Sequence, residues 1–238
     1  MEKFSASRAS RLMNCTASGA LEITIPNWTP PVEDPDADNA ANRGTHMHEV
    51  FAKVNELSPK EYVGFAHALI YVAELRAKRR FKVLIEQTRK SEWLPVPVPT
   101  TADLVLYTQD EIHVLDFKWG KIPVEVVDND QLLYYAATYA PLAPNAREVT
   151  VHIVQPNIHV FESWSVDTAT LLAFMVKANQ TQNDMHSGQF TFMPGDHCTF
   201  CPANPHSRSA KGSPLCPSMM QMLYPAPFDE DEILKEDS

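Results

Sequence analysis

The chain has 238 residues, of which 44% are hydrophobic and 21% charged, with a formal net charge of −10. This length and hydrophobic content suit one globular domain with short appendages and exclude wholesale disorder. No run approaches the roughly 20 apolar residues of a membrane helix, and the N-terminus lacks the apolar stretch of a signal peptide, so we expect a soluble, cytoplasmic protein.

Two acidic segments, residues 33–38 and 229–238, carry most of the negative charge, and the remainder is nearly neutral. A nucleic-acid partner is therefore not excluded, because binding depends on local patches. A basic run lies at residues 76–82: Arg76, Lys78, Arg79, Arg80 and Lys82. It suits contact with a phosphate backbone or, equally, a solvated helix end whose cations complement the helix dipole.

The first half of the chain predicts a loop and two helices. Residues 26–42 are acidic and rich in proline, which indicates a loop. A helix is predicted from about Thr45. A capping box at Ser58–Glu61, with proline at the first helical position, starts a second helix that extends to about Arg80. The apolar spacing of that helix predicts these buried residues: Tyr62, Phe65, Leu69, Val72 and Leu75.

The second half of the chain alternates strands and helices. Strands are predicted at residues 81–90, 102–107 and 111–118, the last two forming a hairpin. A helix follows at 129–140, then strands at 147–155 and 159–166, and a long helix at 167–188. The order helix, three strands, helix, strand predicts an α/β sandwich with a mixed sheet.

Acidic side chains mark the predicted hairpin. Asp103 lies near the start of one strand, and Asp116 and Lys118 end the next. Alternation places Asp116 and Lys118 on one face, about 6.6 Å apart along the strand. Two carboxylates on adjacent strands suit a magnesium site in which the lysine orients the attacking water. A solvated strand end with an Asp–Lys ion pair is the other interpretation.

Two helices could add to this site. His46 and His48 are two residues apart and cannot share a helix face, so at most one points at the site. Gln131 and Tyr135 are spaced i, i+4 and lie on one side of the later helix, where they could hydrogen-bond DNA or the lysine. The alternative is that the tyrosines of this helix are core residues, which we expect for two of the three: Tyr134, Tyr135 and Tyr139.

Taken in order, four motifs resemble the RecB-like branch of the PD-(D/E)XK nuclease superfamily. They are GTHMHE, TADLVLY, LDFKWGK and QLLYY. The resemblance implies a restriction-endonuclease-like core (αβββαβ) with a mixed central sheet flanked by helices. It implies magnesium or manganese at His48, Asp103, Asp116 and the Phe117 carbonyl. Lys118 would serve the nucleophilic water, and Gln131 and Tyr135 would position the DNA strand. Glu86 stands where some relatives carry a further acid, and Asp116 replaces the commoner glutamate.

The cysteines extend the resemblance. Cys15 lies in SASRASRLMNCTAS, and Cys198, Cys201 and Cys216 lie near the end of the chain, as in AddB and CRISPR-associated exonucleases that hold an iron–sulfur cluster. The resemblance implies a [4Fe–4S] cluster that joins the chain ends in a structural role. The spacing from Cys201 to Cys216 is longer than expected. A structural zinc site, held by the four thiolates or by three of them with His206 in place of Cys15, is the alternative.

These patterns predict a nuclease core at residues 43–190, with cluster segments at 1–25 and 191–224 and a disordered acidic tail at 225–238. The resemblance includes a phage and prophage group, so the expected place is the host cytoplasm. The predicted function is metal-dependent DNA hydrolysis, by an exonuclease, in recombination, replication or DNA processing. The predicted partners are DNA, a phage recombinase or single-strand-binding protein, and further copies of the chain.

Two other functions remain open. One is a catalytically inactive DNA-binding or scaffold protein that accompanies a recombinase. The intact Asp103, Asp116 and Lys118 argue against it, because a decayed site usually loses one of them. The other is a zinc-stabilised regulatory module in which the hairpin acids have no catalytic role.

Overall fold

The structure is a computed structural model that describes residues 4–24, 59–120, 122–204 and 216–218. The predicted loop at 26–42, the helix near Thr45 with His46 and His48, His206 and the acidic tail lie outside the described residues. The chain divides into two compact units. The larger comprises residues 3–10 and 32–183, and the smaller comprises residues 1–2, 11–31 and 184–238.

A five-stranded sheet, ordered as in the sequence, forms the centre of the larger unit. Its strands are β1 (Lys82–Lys90), β2 (Pro99–Tyr107), β3 (Ile112–Phe117), β4 (Glu148–Gln155) and β5 (Val160–Asp167). Neighbours pair antiparallel except β3 and β4, which are parallel. A parallel pair requires a crossover connection, which a helix supplies here. The predicted α/β class with a mixed sheet is therefore confirmed.

The helices are α1 (Ala9–Asn14), α2 (Ala17–Thr24), α3 (Pro59–Lys78), α4 (Asp130–Tyr139) and α5 (Thr168–Ser187). The predictions for α3, α4 and α5 agree to within about two residues, whereas the short α1 and α2 were not predicted. Within the described ranges, no helix is long and apolar enough to cross a membrane.

Helices α3 and α4 cover opposite faces of the sheet. Val72 and Leu75 of α3 are buried as predicted, in a cluster that includes Leu104 and Leu115. Helix α4 begins where the Asn129 side chain accepts hydrogen bonds from the backbone N–H groups of Gln131 and Leu132, an N-cap. Every residue from 132 to 139 is buried because this crossover helix covers the sheet. Tyr134 and Tyr139 are fully buried core aromatics, as expected for two of the three tyrosines.

Strand β2 begins three residues earlier than predicted. Thr100 and Thr101 continue the pairing with β1, and Pro99, which lacks an N–H, stands at the first position of the strand, where proline is tolerated. Asp103 therefore lies in the middle of β2 and not near its start. This correction changes its surroundings, because β1 continues past Asp103 while the backbone pairing with β3 begins only at the next residue, Leu104.

Candidate functional site

Two acids lie side by side on the α4 face of the sheet. The register that pairs Leu104 with Leu115 brings Asp103 opposite Asp116 on adjacent strands. Their exposed fractions are 8% and 3%. Oδ2 of Asp103 accepts a hydrogen bond of 2.6 Å from the Phe117 N–H, which ties the two strands together at this point. The structure thus brings together the two acids that the sequence singled out.

Lys118 follows β3 directly, and its position is fixed at both ends. Its backbone N–H donates to the Val154 carbonyl of β4 at 2.9 Å. Its Nζ lies 2.8 Å from Oδ2 of Asp116 and donates to Oε1 of Gln131 at 3.0 Å. A cation held beside two buried carboxylates offsets part of the cost of burying their charge.

The Gln131 side chain connects the predicted residues of α4 to those of β3. Its Nε2 donates to Oδ1 of Asp116 at 3.3 Å and to the Tyr135 hydroxyl at 3.0 Å. Burial, followed by the charge of Asp116, raises the pKa of Tyr135 far above its ordinary value. The phenol therefore remains protonated and keeps a hydrogen to donate. Asp116, Lys118, Gln131 and Tyr135 form one connected network.

Asp116 keeps capacity to bind a cation. Its Oδ2 is buried, and among the described residues its polar partner is the Lys118 ammonium, 2.8 Å away, with no backbone or amide N–H donating to it. A buried carboxylate oxygen of this kind suits a hard cation such as magnesium. Within the part of the chain that the structure describes, no three His, Cys, Asp or Glu side chains are grouped closely enough to hold a metal ion, either at these acids or at the cysteines described below. The predicted third ligand, His48, lies outside that part.

Glu86 stands next to Asp103 across the β1–β2 pair. Its neighbours Ile85 and Gln87 pair with Leu104 and Ala102, which places Glu86 opposite Asp103. The φ of Glu86 is 48°, in the left-handed region that non-glycine residues rarely adopt. The sheet therefore carries acids at corresponding positions of three adjacent strands.

Two amide side chains that the sequence did not single out hold the loop after Lys118. Oε1 of the fully buried Gln155 accepts from the Val124 N–H at 2.8 Å, and its Nε2 donates to the Ile122 carbonyl at 3.0 Å. The Asn157 side chain donates to the Trp119 carbonyl at 2.7 Å. The end of β4 thus fixes the chain that follows the candidate catalytic lysine.

A chain of hydrogen bonds lies on the opposite, α3 face of the sheet. The Tyr71 hydroxyl lies 2.8 Å from Nδ1 of His152, and Nε2 of His152 lies 2.9 Å from Nδ1 of His113. Nε2 of His113 in turn bonds Oε1 of Glu111 at 2.9 Å. Burial, followed by the neighbouring His113 and Lys78, lowers the pKa of His152 to about 3. Sequence alternation could have shown that each histidine points inward, but not that they meet.

The four cysteines belong to the smaller unit, where they line one small cavity. The lining also includes Ser18, Leu21, Met193, Pro194, His197 and Asn204. The four thiols are free of disulfides. The Gly195 N–H donates to Cys198 Sγ at 3.4 Å. Burial raises the pKa of Cys201, and the neighbouring Cys15 and Cys198 add to this shift. The structure thus brings together residues that are far apart in sequence.

Comparisons with known proteins give one family match and several distant structural similarities. A sequence profile described as a protein of unknown function (DUF2800) matches residues 55–235. The crystal structure of SSO0001 is 12% identical, with 71% of this chain and 81% of that chain covered and a TM-score of 0.37. An alkaline exonuclease (LHK-Exo) from Laribacter hongkongensis is also 12% identical, with 76% and 92% covered and a TM-score of 0.34.

The structure of LHK-Exo in complex with dAMP is 10% identical, with 64% of this chain and 84% of that chain covered and a TM-score of 0.34. TM-scores this low carry no inference about fold or activity.

Proposed function

The chain belongs to the DUF2800 family, a family of unknown function, and we propose that it is a metal-dependent DNA nuclease, most simply an exonuclease. The observation that carries the proposal is the buried Oδ2 of Asp116, which lies 2.8 Å from the Lys118 ammonium at the strand position opposite Asp103. The order of the sequence motifs, which resemble those of RecB-like nucleases, supports the same reading. In this proposal, residues 43–190 form a restriction-endonuclease-like core.

Each residue of the network has a role in phosphodiester hydrolysis. Asp103 and Asp116, with the Phe117 carbonyl and His48, would hold one or two magnesium or manganese ions. When bound, such an ion lowers the pKa of a water molecule and neutralises charge on the scissile phosphate. Lys118 orients the attacking water, and its charge stabilises the negative charge that develops on the phosphate.

The side chain of Gln131 on α4 holds Lys118 and Asp116 in a fixed arrangement. Gln131 accepts from Lys118 and donates to Asp116, so it fixes the separation between the cation and the carboxylate. Tyr135, protonated because it is buried, offers its hydroxyl to a phosphate oxygen of the DNA strand. A positioned network of this kind is preorganised and needs little rearrangement when substrate binds.

A nuclease assay tests this proposal. Wild-type protein and Lys118→Ala, both purified anaerobically, would be incubated with end-labelled linear and circular DNA, single- and double-stranded, with Mg²⁺, Mn²⁺ or EDTA. We expect metal-dependent degradation of linear DNA that falls by about 100-fold or more in the variant, since a general acid–base or positioning group contributes about 10²–10⁴-fold. The labelled ends would give the polarity of cleavage.

The exposed Lys177 on α5 provides the matched control, and Lys177→Ala should cut like wild type. Equal cutting by Lys118→Ala and wild type would show that Lys118 is not catalytic. If wild type of verified metal content cuts no substrate under any condition, the nuclease proposal fails. A DNA-binding or scaffold protein would then be the leading function.

We further propose that the four cysteines hold a [4Fe–4S] cluster formed by segments 1–25 and 191–224. The four thiols line one cavity and have the donor chemistry of such a cluster, although among the described residues they are not grouped closely enough to hold a metal ion as they stand. The Gly195 N–H directed at Cys198 is the kind of outer contact that tunes cluster sulfurs. The cluster would supply structural cross-linking of the smaller unit. Structural zinc is the alternative, since it binds the same ligands.

Metal analysis of wild type and of Cys15→Ser distinguishes the iron–sulfur cluster from a structural zinc site. Iron and acid-labile sulfide, with broad visible absorption, should be present in anaerobic wild type and lost in this variant. If wild type instead holds about one zinc per chain, and Cys15→Ser retains it while His206→Ala does not, the zinc site with His206 as ligand is established and the cluster is excluded.

A further inference from the structure

A basic surface extends from the last turn of α3 into the start of β1. We define it by five exposed side chains: Arg76, Lys78, Arg79, Arg80 and Lys82. Its three arginines, together with Ala73, Ala77 and Phe81, line an open depression of about 500 Å³. Its volume exceeds that of a phosphate group, and arginine presents a fork of donors suited to phosphate oxygens.

The positive charge of this surface exceeds what the helix end requires. The C-terminus of a helix carries roughly half a negative charge. Nearby acids, namely Glu74 on α3 and Asp110 and Glu111 in the β2–β3 turn, subtract three more. The five cations therefore leave about one and a half positive charges. Because the whole protein has a net charge of −10, this excess of positive charge is confined to the basic surface and is not typical of the rest of the chain.

The buried histidines support the surface from below. Oε2 of Glu111 pairs with Arg79 at 3.1 Å, while Oε1 bonds Nε2 of His113 at 2.9 Å. His113 is itself bonded to His152, and the Phe81 ring meets it edge-on with a centroid distance of 5.3 Å. The carboxylate that orients Arg79 is therefore fixed by a buried group. A solvated helix end needs no such support.

The turn that carries Glu111 is also fixed. The Thr108 hydroxyl accepts from the backbone N–H groups of Asp110 and Glu111, at 3.2 and 3.1 Å. The Thr108 N–H donates to the Glu111 carbonyl at 2.8 Å. A rigid turn lowers the entropy that Arg79 must lose when it binds an anion.

We propose that this basic surface binds the phosphate backbone of DNA, at a contact separate from the candidate active site. Lys82 pairs with Tyr107, which lies four residues, or about 13 Å along the strand, from Asp103 of β2. The contact uses backbone charge and is independent of base sequence. The choice of DNA as the ligand rests on the proposed function.

Binding without cleavage tests the inference. Fluorescently labelled duplex and single-stranded DNA would be titrated in EDTA at several salt concentrations, with anisotropy as the readout. The double variant Arg76→Gln/Arg80→Gln removes two surface cations and leaves Arg79 in its pair. Its control, Arg147→Gln/Lys177→Gln, removes two exposed cations elsewhere on the larger unit.

We expect the slope of log K against log salt to fall by about two in the first variant, and the affinity at 0.1 M salt to fall by about 10–100-fold. The control should bind like wild type. Equal losses in both variants, or no loss in the first, would overturn the inference. Polyglutamate would serve as a probe for acidic proteins. If Arg76→Gln/Arg80→Gln keeps its affinity for DNA but loses affinity for polyglutamate, the inference is also overturned, because the partner would then be an acidic protein.

Glu111→Gln separates a positioned arginine from simple charge. Removing a negative charge should tighten DNA binding if only net charge matters. If Glu111 orients Arg79, Glu111→Gln should bind DNA no more tightly than wild type. Tighter binding of DNA would show that Glu111 and the histidines behind it do not position Arg79. Because these measurements need no cleavage, an inactive protein that binds through the surface would refute only the nuclease proposal. An active nuclease insensitive to the substitutions would refute only this inference.

Discussion

Acidification is expected to destabilise the larger unit through His152. This imidazole is 2% exposed and lies between the Tyr71 hydroxyl and His113. Burial is the main reason that its pKa falls to about 3, against about 6.5 in an unfolded chain. The folded state therefore holds it neutral. The stability that it contributes is complete above the unfolded pKa and is lost as the pH falls towards the folded one.

The size of the effect follows from the two pKa values. Between pH 7 and pH 5 the unfolded chain binds on average about 0.7 of a proton at this position and the folded chain almost none, so the free energy of unfolding falls by about 2 kcal/mol. By pH 3 the loss approaches about 5 kcal/mol. Burial raises the pKa of Asp130, so this residue makes the free energy of unfolding rise as the pH falls, opposite to His152. Its contribution is the same in every variant compared and cancels.

Urea unfolding at pH 7 and pH 5, followed by tryptophan fluorescence, measures this difference. Three of the four tryptophans lie in the larger unit: Trp93, Trp119 and Trp164. Relative to wild type, His152→Gln should lose about 2 kcal/mol of the pH dependence, whereas His186→Gln, at an exposed position, should lose none. If wild type and His152→Gln change equally between the two pH values, the imidazole is not a buried neutral group and the reasoning is refuted.

Three further substitutions test the site and its supports. Gln131→Ala should lower metal-dependent turnover by about 10–100-fold in the nuclease assay with little change in unfolding midpoint, and unchanged turnover would contradict the bridging role. Gln155→Ala should lower the free energy of urea unfolding by about 2–4 kcal/mol, because the Ile122 carbonyl and Val124 N–H lose their partner, and a loss below about 1 kcal/mol would count against it. Asn129→Ala should cost about 1 kcal/mol in the same measurement through loss of the helix cap, whereas Asn129→Asp should retain most of that stability.

Local patterns predicted most of the sheet and the helix order, because alternation and capping act over a few residues. The site was partly predictable for the same reason. Asp116 and Lys118 share a strand end, and Gln131 and Tyr135 share a helix face, so spacing alone paired them. The contact between Lys118 and Gln131 depends on how the crossover helix lies on the sheet, which spacing does not determine.

The residues that sequence reasoning missed all depend on pairing between distant segments. His113 and His152 lie on strands whose parallel register is set by the crossover, so neither strand by itself predicts that the imidazoles meet. Gln155 and Asn157 look like ordinary polar residues at a strand end. Their role appears only when the loop after Lys118 folds back against them.

The anchoring of Lys118 by β4 has a consequence for biosynthesis. All the candidate catalytic residues precede position 136, yet the partners that fix the lysine and its loop begin with Val154. A nascent or truncated chain ending near residue 145 would carry each catalytic side chain without the strand that sets their geometry. Translation through β4 therefore completes the geometry of the candidate site, and a ribosome-bound fragment that ends before β4 would lack it.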